Sequence, residues 1–139
     1  LLIFIRKGTS MAAGKYTITI EQGATTDFEV QWKDSTGSPV DLTNYQARMQ
    51  IRSDYGGTLY ATLSSSRASD GTGLNMSGSN GTTPPTSGSV GVFISAASSS
   101  AFTFSEGRYD LEMVSGSGAN EYVTRLLEGK VKLSKNITV

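Results

Sequence analysis

The sequence contains no cysteine and no histidine among its 139 residues. Disulfides are therefore impossible, and zinc sites built on thiolate or imidazole ligands are excluded. Catalytic triads that need a histidine base are excluded as well. No apolar run approaches the ~20 residues that a membrane-spanning helix requires. We expect a protein without catalytic, cofactor-binding or metal-binding residues, and without a membrane partner.

Charge is scarce and evenly balanced. Twelve lysines and arginines face twelve aspartates and glutamates, and charged residues make up 17% of the chain. This balance argues against the basic footprint of a nucleic-acid-binding protein. The length suits one domain, and its surface must be rich in Ser, Thr, Gly and Asn.

The N-terminal ten residues have two interpretations. Residues 1–5 are apolar and precede Arg6-Lys7-Gly8, the reverse of the order in a signal peptide. Residues 1–10 could be a translated leader before a start at Met11, because Arg-Lys-Gly can be encoded by purine-rich triplets resembling a ribosome-binding site. They could instead form a strand that pairs with a neighbouring subunit. In that case deleting them should weaken assembly and leave the monomer folded. The predicted organisation is an arm or leader at 1–10 and a single β-sandwich domain at 11–139.

Apolar and polar residues alternate in short segments along most of the chain. The clearest segments are 16–20, 28–32, 47–51 and 90–94, and shorter ones lie at 58–63, 108–114, 122–127 and 131–133. Seven or eight short strands separated by turns predict an antiparallel sandwich or barrel. The alternation also predicts the core residues: Tyr16, Ile18, Ile20, Phe28, Val30, Trp32, Leu42, Ala47, Met49, Ile51, Leu59, Leu63, Val90, Val92, Ile94, Phe104, Tyr109, Leu111, Met113, Tyr122, Leu126, Val131 and Leu133.

The segments between the strands carry their own signals. Residues 64–89 are rich in Ser, Gly, Thr and Asn, which predicts a long loop holding one short strand around 74–76. A loop of this length is usually functional or disordered. Residues 95–102 predict one helical turn with Ser95 as its N-cap. Gly129 predicts a bulge in the last strand.

No motif of catalysis or metal binding emerges from the acidic residues and glycines. The pairs Asp27/Glu29 and Asp110/Glu112 are interpreted as solvated strand faces, because no apolar pocket is evident that would raise a carboxyl pKa. The spacing of Asp34, Asp41, Asp54 and Asp70 does not match a calcium loop. The glycine-rich stretches 70–73 and 116–118 lack the Lys-Ser/Thr ending of a phosphate loop, and we interpret them as turns.

Three aromatic residues and four basic ones suggest surface contacts. Tyr55, Tyr60 and Phe93 fall out of phase with the inward positions, so they are expected on the surface as subunit contacts or, less favoured, glycan contacts. Basic residues stripe one face of two strands, at Arg48 and Arg52 and at Lys130 and Lys132. Lysines on an outer strand commonly guard against edge pairing.

Three phrases together resemble a known family. The first runs from Gln22-Gly23-Ala24 through Trp32 and the link Gly37-Ser38-Pro39-Val40-Asp41-Leu42-Thr43-Asn44-Tyr45 to Ile51. The other two are Gly107-Arg108-Tyr109-Asp110-Leu111 and Leu127-Glu128-Gly129-Lys130-Val131. Their order and separation are similar to those in the N-terminal domain of phage baseplate upper proteins and related tail modules, over residues 14–139. The resemblance implies an immunoglobulin-like sandwich that docks on other tail proteins in rings or trimers.

The resemblance leads to one principal functional hypothesis. The chain is expected to be a structural virion protein of a tailed bacteriophage, assembled in the host cytoplasm, and a tail or baseplate adaptor that anchors fibres or bridges tail subunits. Its partners would be other virion proteins, with several copies in a symmetric assembly. Baseplate upper proteins continue into a helical stalk, whereas this chain stops at Val139, so a stand-alone adaptor or decoration is expected. The alternatives are a head or neck decoration protein of the same fold and a carbohydrate-binding β-sandwich module.

Overall fold

The computed structural model describes the backbone of residues 2–7 and the whole of residues 14–138. Strands dominate these residues, with one helical turn, α1 (Ala96–Ser100), and two short 3₁₀ turns at Pro85–Ser87 and Gly118–Asn120. The strands are β1 (Leu2–Lys7), β2 (Gly14–Lys15), β3 (Ile18–Glu21), β4 (Thr26–Asp34), β5 (Tyr45–Arg52), β6 (Leu59–Ser64), β7 (Gly73–Asn75), β8 (Ser89–Ile94), β9 (Glu106–Ser115) and β10 (Tyr122–Ser134).

The strands form two sheets that pack face to face as a β-sandwich, which confirms the predicted fold class. The four-stranded sheet has the order β1-β4-β8-β7. The six-stranded sheet has the order β2-β10-β9-β5-β6, with β3 also paired to β10. Most pairings are antiparallel, but β1 on β4 and both β2 and β3 on β10 are parallel. The immunoglobulin-like topology stays a prediction.

The described residues contain ten strands, so the predicted seven or eight is wrong. The strand predicted at 16–20 begins only at Ile18, as β3, and a separate short strand, β2, precedes it and ends at Lys15. The segments predicted at 122–127 and 131–133 are instead one continuous strand, β10. β1 adds a further strand, which pairs in parallel with β4 of the same chain. Met11, the proposed natural start, lies outside the described residues.

The core occupies the space between the sheets, where the alternating apolar residues meet. Most of the predicted core residues are buried, and Leu74, Val114 and Leu127 are buried in addition. Three predicted core residues are not: Tyr16 is half-buried, whereas Leu59 and Tyr122 are exposed. The alternation therefore identified most of the core, and it failed at a register shift for Leu59, at the start of β10 for Tyr122 and between β2 and β3 for Tyr16.

Two register shifts explain much of the disagreement. Between β5 and β6, Ile51 pairs with Ala61 but Arg52 pairs with Leu59, so Tyr60 is an extra residue. A β-bulge of this kind re-aims side chains, and here Leu59 turns outward while the Tyr60 ring stacks on Phe104 at 4.5 Å.

In β10 the register shifts between Arg125 and Leu127, so both Leu126 and Leu127 are buried. The bulge predicted at Gly129 is therefore wrong. Gly129 pairs in regular register with Tyr109.

The Pro39-to-Tyr45 link carries the chain from the four-stranded sheet to the six-stranded one. The Val40 amide donates to the Trp32 carbonyl at 2.9 Å, which holds the link against the end of β4. Leu42 is buried, and its amide donates to the Pro85 carbonyl at 3.0 Å. The link thus joins β4, the core and the far end of the long loop.

The long loop at residues 64–89 contains the predicted short strand, observed as β7, and folds over the outer face of the four-stranded sheet. Leu74 of β7 is buried and lies opposite Val92. The Ser79 amide donates to Glu29 Oε1 at 2.9 Å. A Cβ added to Gly91 would lie 2.7 Å from the Ser79 nitrogen, so glycine leaves the room that the loop needs. Among the described residues, no helix is long and apolar enough to cross a membrane.

Candidate interaction surface

The outer face of the six-stranded sheet carries most of the ion pairs of the described residues. Because successive side chains of a strand point to opposite faces, every second residue of β5, β9 and β10 faces outward here. We call this surface the charged face. It consists of Arg48, Gln50 and Arg52 on β5, Arg108, Asp110 and Glu112 on β9, and Arg125, Glu128 and Lys130 on β10, with Lys15 on β2.

The first cross-strand row of the charged face alternates in sign. Arg48 lies opposite Glu112, which lies opposite Arg125. Arg48 Nε contacts Glu112 Oε1 at 2.8 Å, and Arg48 Nη2 lies 3.8 Å from Glu121 Oε1. Opposite charges facing each other across strands stabilise a sheet. The hydrogen bond to Glu112 raises the pKa of Arg48 further.

The second row contains two facing carboxylates, with Gln50 of β5 on one side and Lys15 of β2 on the other. Asp110 lies opposite Glu128, which lies opposite Lys15. Lys15 Nζ contacts Glu128 Oε1 at 2.6 Å, and Arg125 reaches both Glu128 at 3.3 Å and Asp110 at 3.5 Å. The Lys15 contact lowers the pKa of Glu128. Burial, with the nearby Glu112 charge, raises the pKa of Asp110 although Arg125 opposes the shift.

The third row contains three cations. Arg52 lies opposite Arg108, which lies opposite Lys130. Asp54 is their one carboxylate partner among the described residues, at 3.7 Å from Arg108 Nε and on a side chain that is 71% exposed. Like charges directly opposite one another destabilise a sheet. We call Arg52, Arg108 and Lys130 the cationic row.

A groove of about 230 Å³ runs between the second and third rows. Its walls include Tyr55, Arg52 and Arg108, and its other side includes Asp110 and Arg125. Tyr55 is 82% exposed, and the Arg108 guanidinium lies 5.5 Å from its ring centroid. The charged face thus presents an exposed aromatic ring beside fixed guanidinium groups, which is the composition of protein contact sites.

The two carboxylate pairs lie on opposite sheets, and the interpretation as solvated faces is wrong for Asp110, which is half-buried in the groove and whose pKa burial raises. Asp27 is exposed on the four-stranded sheet, whereas its neighbour Glu29 holds the long loop through Ser79. Asp110 and Glu112 lie on the opposite sheet, each beside an arginine. Within the part of the chain that the structure describes, no group of three or more acidic residues lies close enough to hold a metal ion.

Three of the isolated aspartates stabilise turns, a role that sequence reasoning missed. Asp34, Asp41 and Asp70 each accept a hydrogen bond from the amide of the residue two positions later, which is a threonine every time. The pKa of each carboxyl is lowered, chiefly by a hydroxyl hydrogen bond from Thr36 to Asp34, from Thr43 to Asp41 and from Ser95 to Asp70, with the amide bonds adding to the shift. The repeated Asp-x-Thr pattern is the signal that identifies these Asx turns in the sequence.

Asp70 has a second role at the helical turn. Ser95 Oγ donates to Asp70 Oδ2 at 2.6 Å, and Ser98 Oγ donates to the same oxygen at 2.7 Å. The Ser95 hydroxyl also accepts from the Ser98 amide at 3.0 Å, which confirms the predicted N-cap. Asp70 therefore ties the long loop to α1.

The predicted exposure of the aromatic residues is confirmed for Tyr55 alone. Tyr60 is half-buried because the β6 bulge turns its ring onto Phe104. Phe93 is half-buried as well, with Gly71 of the long loop against its ring. The expected role of Lys130 and Lys132 as guards of an outer strand is wrong, because β10 is paired on both sides by β9 and by β2 and β3.

Two of the phrases noted in the sequence meet at one crossing of the chain. The Tyr109 hydroxyl donates to the Tyr16 carbonyl at 2.7 Å, and the Tyr16 amide donates to the Glu128 carbonyl at 3.0 Å. A Cβ at Gly129 would clash with that Tyr16 carbonyl. Burial raises the pKa of Tyr109. Gly129 leaves room for the Tyr16 carbonyl and Tyr109 donates to it, and the chain passes from β2 to β3 at this point.

These features define a two-sheet β-sandwich with one charged face and one loop-covered face. No family model matches the sequence, and no curated protein matches it. The fold is similar to a solved structure, the N-terminal domain of phage TP901-1 ORF48, at 9% sequence identity and a TM-score of 0.53. The similarity covers 96% of this chain and 98% of that domain. At this identity the likeness shows the fold.

Proposed function

We propose that this protein is a structural component of a tailed bacteriophage virion. The observation that carries the proposal is the fold similarity to a phage protein domain along nearly the full length of both chains. The three sequence phrases that resemble phage tail modules also support it. In the fold two of them meet at the Tyr16 crossing, and the other forms the link between the sheets.

Within the particle, we assign the protein to the tail or baseplate, as an adaptor that anchors fibres or bridges tail subunits. Its partners are other virion proteins, and several copies form a symmetric assembly. The charged face is the docking surface in this proposal, because it combines an exposed tyrosine with ordered arginines. Arg and Tyr are enriched among residues that dominate binding energy at protein interfaces.

Mass spectrometry of purified particles tests the proposal. The chain should be found at a constant ratio to the known tail proteins after density-gradient purification and high-salt washing. Its absence from purified particles would sink the structural role. A low-resolution map with a labelled copy then decides between the tail or baseplate and the alternative of head or neck decoration.

The proposal includes no enzymatic activity. Three of the four carboxylates first considered for acid–base chemistry are held by arginines or by the long loop, namely Glu29, Asp110 and Glu112. The fourth, Asp27, is exposed on the opposite sheet from Asp110 and Glu112. A general acid and base must both reach the same reacting group, and the neighbouring Asp110 and Glu112 are each engaged by an arginine.

Carbohydrate binding is a second candidate, and Tyr55 is the observation that favours it. Its exposed ring stands beside Arg52 and Asp110 in the groove, where stacking and hydrogen bonding to one sugar are both possible. A glycan array with the wild type and Tyr55→Ala tests this function. A signal that the substitution abolishes would support it, and an array without signal would remove it.

A further inference from the structure

The cationic row is the part of the charged face whose charges the sheet does not neutralise. In the first and second rows each carboxylate has a cation within 3.5 Å, including the facing pair Asp110 and Glu128. The cationic row instead places Arg52, Arg108 and Lys130 side by side across three adjacent strands. Fold stability alone gives no reason for this arrangement, because facing like charges oppose sheet formation.

Neutral groups hold Arg52 in position for a contact. Its Nε donates to Gln50 Oε1 at 3.0 Å, and its Nη1 donates to the Gly57 carbonyl at 2.9 Å. Neither acceptor carries a charge, so the guanidinium is ordered without being neutralised. An ordered side chain loses less conformational entropy when a partner binds.

Exposed apolar side chains border the cationic row. Leu59 lies opposite Arg52 in the register and is 46% exposed because of the β6 bulge. Tyr55 stands over Arg108 on the same side. Aromatic and arginine side chains next to an apolar patch form the usual centre of a protein interface.

We propose that the cationic row docks a carboxylate-bearing surface of another virion protein, an inference that rests on the proposed function. Three cations spaced by ~4.8 Å between strands span roughly 10 Å, which suits two or three carboxylate side chains. The short span of the row and the zero net charge of the chain argue against a longer polyanion such as nucleic acid. Tyr55 and Leu59 cover the apolar part of the same partner.

The melting temperature distinguishes a docking role of the cationic row from a role in folding. The triple variant Arg52→Gln, Arg108→Gln, Lys130→Gln removes the facing like charges, so its melting temperature should equal or exceed that of the wild type. A matched control is Lys132→Gln. It changes a lysine one pleat away on the same face of β10, opposite Glu106 and outside the row.

Incorporation into particles tests the docking role. Phage lacking the native gene is complemented with each variant, and particle content is measured by mass spectrometry. The triple variant should fall about tenfold or more, whereas Lys132→Gln should match the wild type. A carbodiimide, which joins an amine directly to a carboxylate, should cross-link Lys130 in wild-type particles to an aspartate or glutamate of another protein.

Three results would overturn the inference in distinguishable ways. Equal incorporation of the triple variant, with no Lys130 cross-link, removes the acidic partner and leaves the proposed function intact. Tight binding of single-stranded DNA by the purified protein, lost in the triple variant, would make the row a nucleic-acid site. Absence of the wild-type chain from particles would remove the proposed function and this partner together.

Discussion

At the scale of single residues, one glycine and one hydroxyl determine how the chain enters the six-stranded sheet. Tyr16 sits between β2 and β3, its amide bonded to the Glu128 carbonyl and its carbonyl accepting from Tyr109. Gly129 supplies the space for that carbonyl. Tyr109 and Gly129 both lie more than ninety positions after Tyr16 in the chain.

Gly129→Ala should destabilise the protein by ~2–4 kcal/mol, because the new methyl would overlap the Tyr16 backbone, which cannot move without breaking its hydrogen bonds. Urea unfolding followed by tryptophan fluorescence measures the change. Gly56→Ala is the control, since an added Cβ there meets nothing within 4 Å although φ is +67°. It should cost only ~1–2 kcal/mol of backbone strain. If Gly129→Ala and Gly56→Ala lose the same free energy of unfolding, the proposed crowding at Tyr16 is refuted.

Tyr109→Phe should cost ~1–2 kcal/mol, because it leaves the partly buried Tyr16 carbonyl without its donor while keeping the ring in the core. The same urea titration applies. Tyr55→Phe removes a hydroxyl from an exposed ring and should stay within ~0.5 kcal/mol of the wild type. A neutral Tyr109→Phe substitution would show that water replaces the lost hydrogen bond.

At the scale of elements, the strands are clear in the sequence but their registers are not. Alternation correctly predicted the inward face of β4, β5 and β9, whose burial patterns alternate almost without interruption. It failed at Leu59 and at Leu127, where a bulge changes the phase. The position of a bulge depends on packing against the neighbouring strand and other parts of the fold, such as the stacking of the Tyr60 ring on Phe104. One strand's sequence does not contain that information.

Asp70 predicts a pH dependence for the junction between the long loop and α1. Hydrogen bonds, the strongest from Ser95, lower the pKa of Asp70 in the folded protein. The unfolded chain therefore binds this proton more readily, so the stabilisation is present above about pH 4 and is lost as the pH falls through the folded pKa.

Asp70→Asn should lower the urea midpoint at pH 6 and flatten its fall below pH 4. Unfolding curves from pH 2.5 to pH 6 measure both effects. Asp27→Asn is the control, because Asp27 is exposed and no carboxylate hydrogen bond to it is found among the described residues. The control should keep the wild-type midpoint at pH 6. If the urea midpoint of Asp70→Asn falls with pH as steeply as that of the wild type, Asp70 is excluded as a source of acid sensitivity.

At the scale of the whole molecule, the two sheets present different surfaces. The long loop covers part of the outer face of the four-stranded sheet, as the contact of Ser79 with Glu29 shows. None of the described loops covers the charged face on the outer side of the six-stranded sheet. The fold therefore leaves one broad face for partners, which agrees with a role in assembly.

Deletion of residues 1–7 tests how the N-terminal strand is used. β4 keeps its antiparallel pairing with β8 from Thr26 to Gln31, so the truncated chain should still unfold cooperatively. Because β1 is the edge strand and pairs with β4 of the same chain, its removal exposes the longer edge of β4. Open edges promote association, so light scattering should show more self-association than in the wild type. Weaker association would instead support exchange of this strand between copies.

The sequence by itself determined the fold class and most of the core, because these depend on local alternation, and it also contains the Asp-x-Thr pattern of the turns. The tertiary structure alone decided which charges face each other. Arg52, Arg108 and Lys130 are far apart in the chain, and only the pairing of β5, β9 and β10 puts them in one row. Strand order and register are global properties of the packed sandwich, so a surface that depends on them is invisible in the sequence.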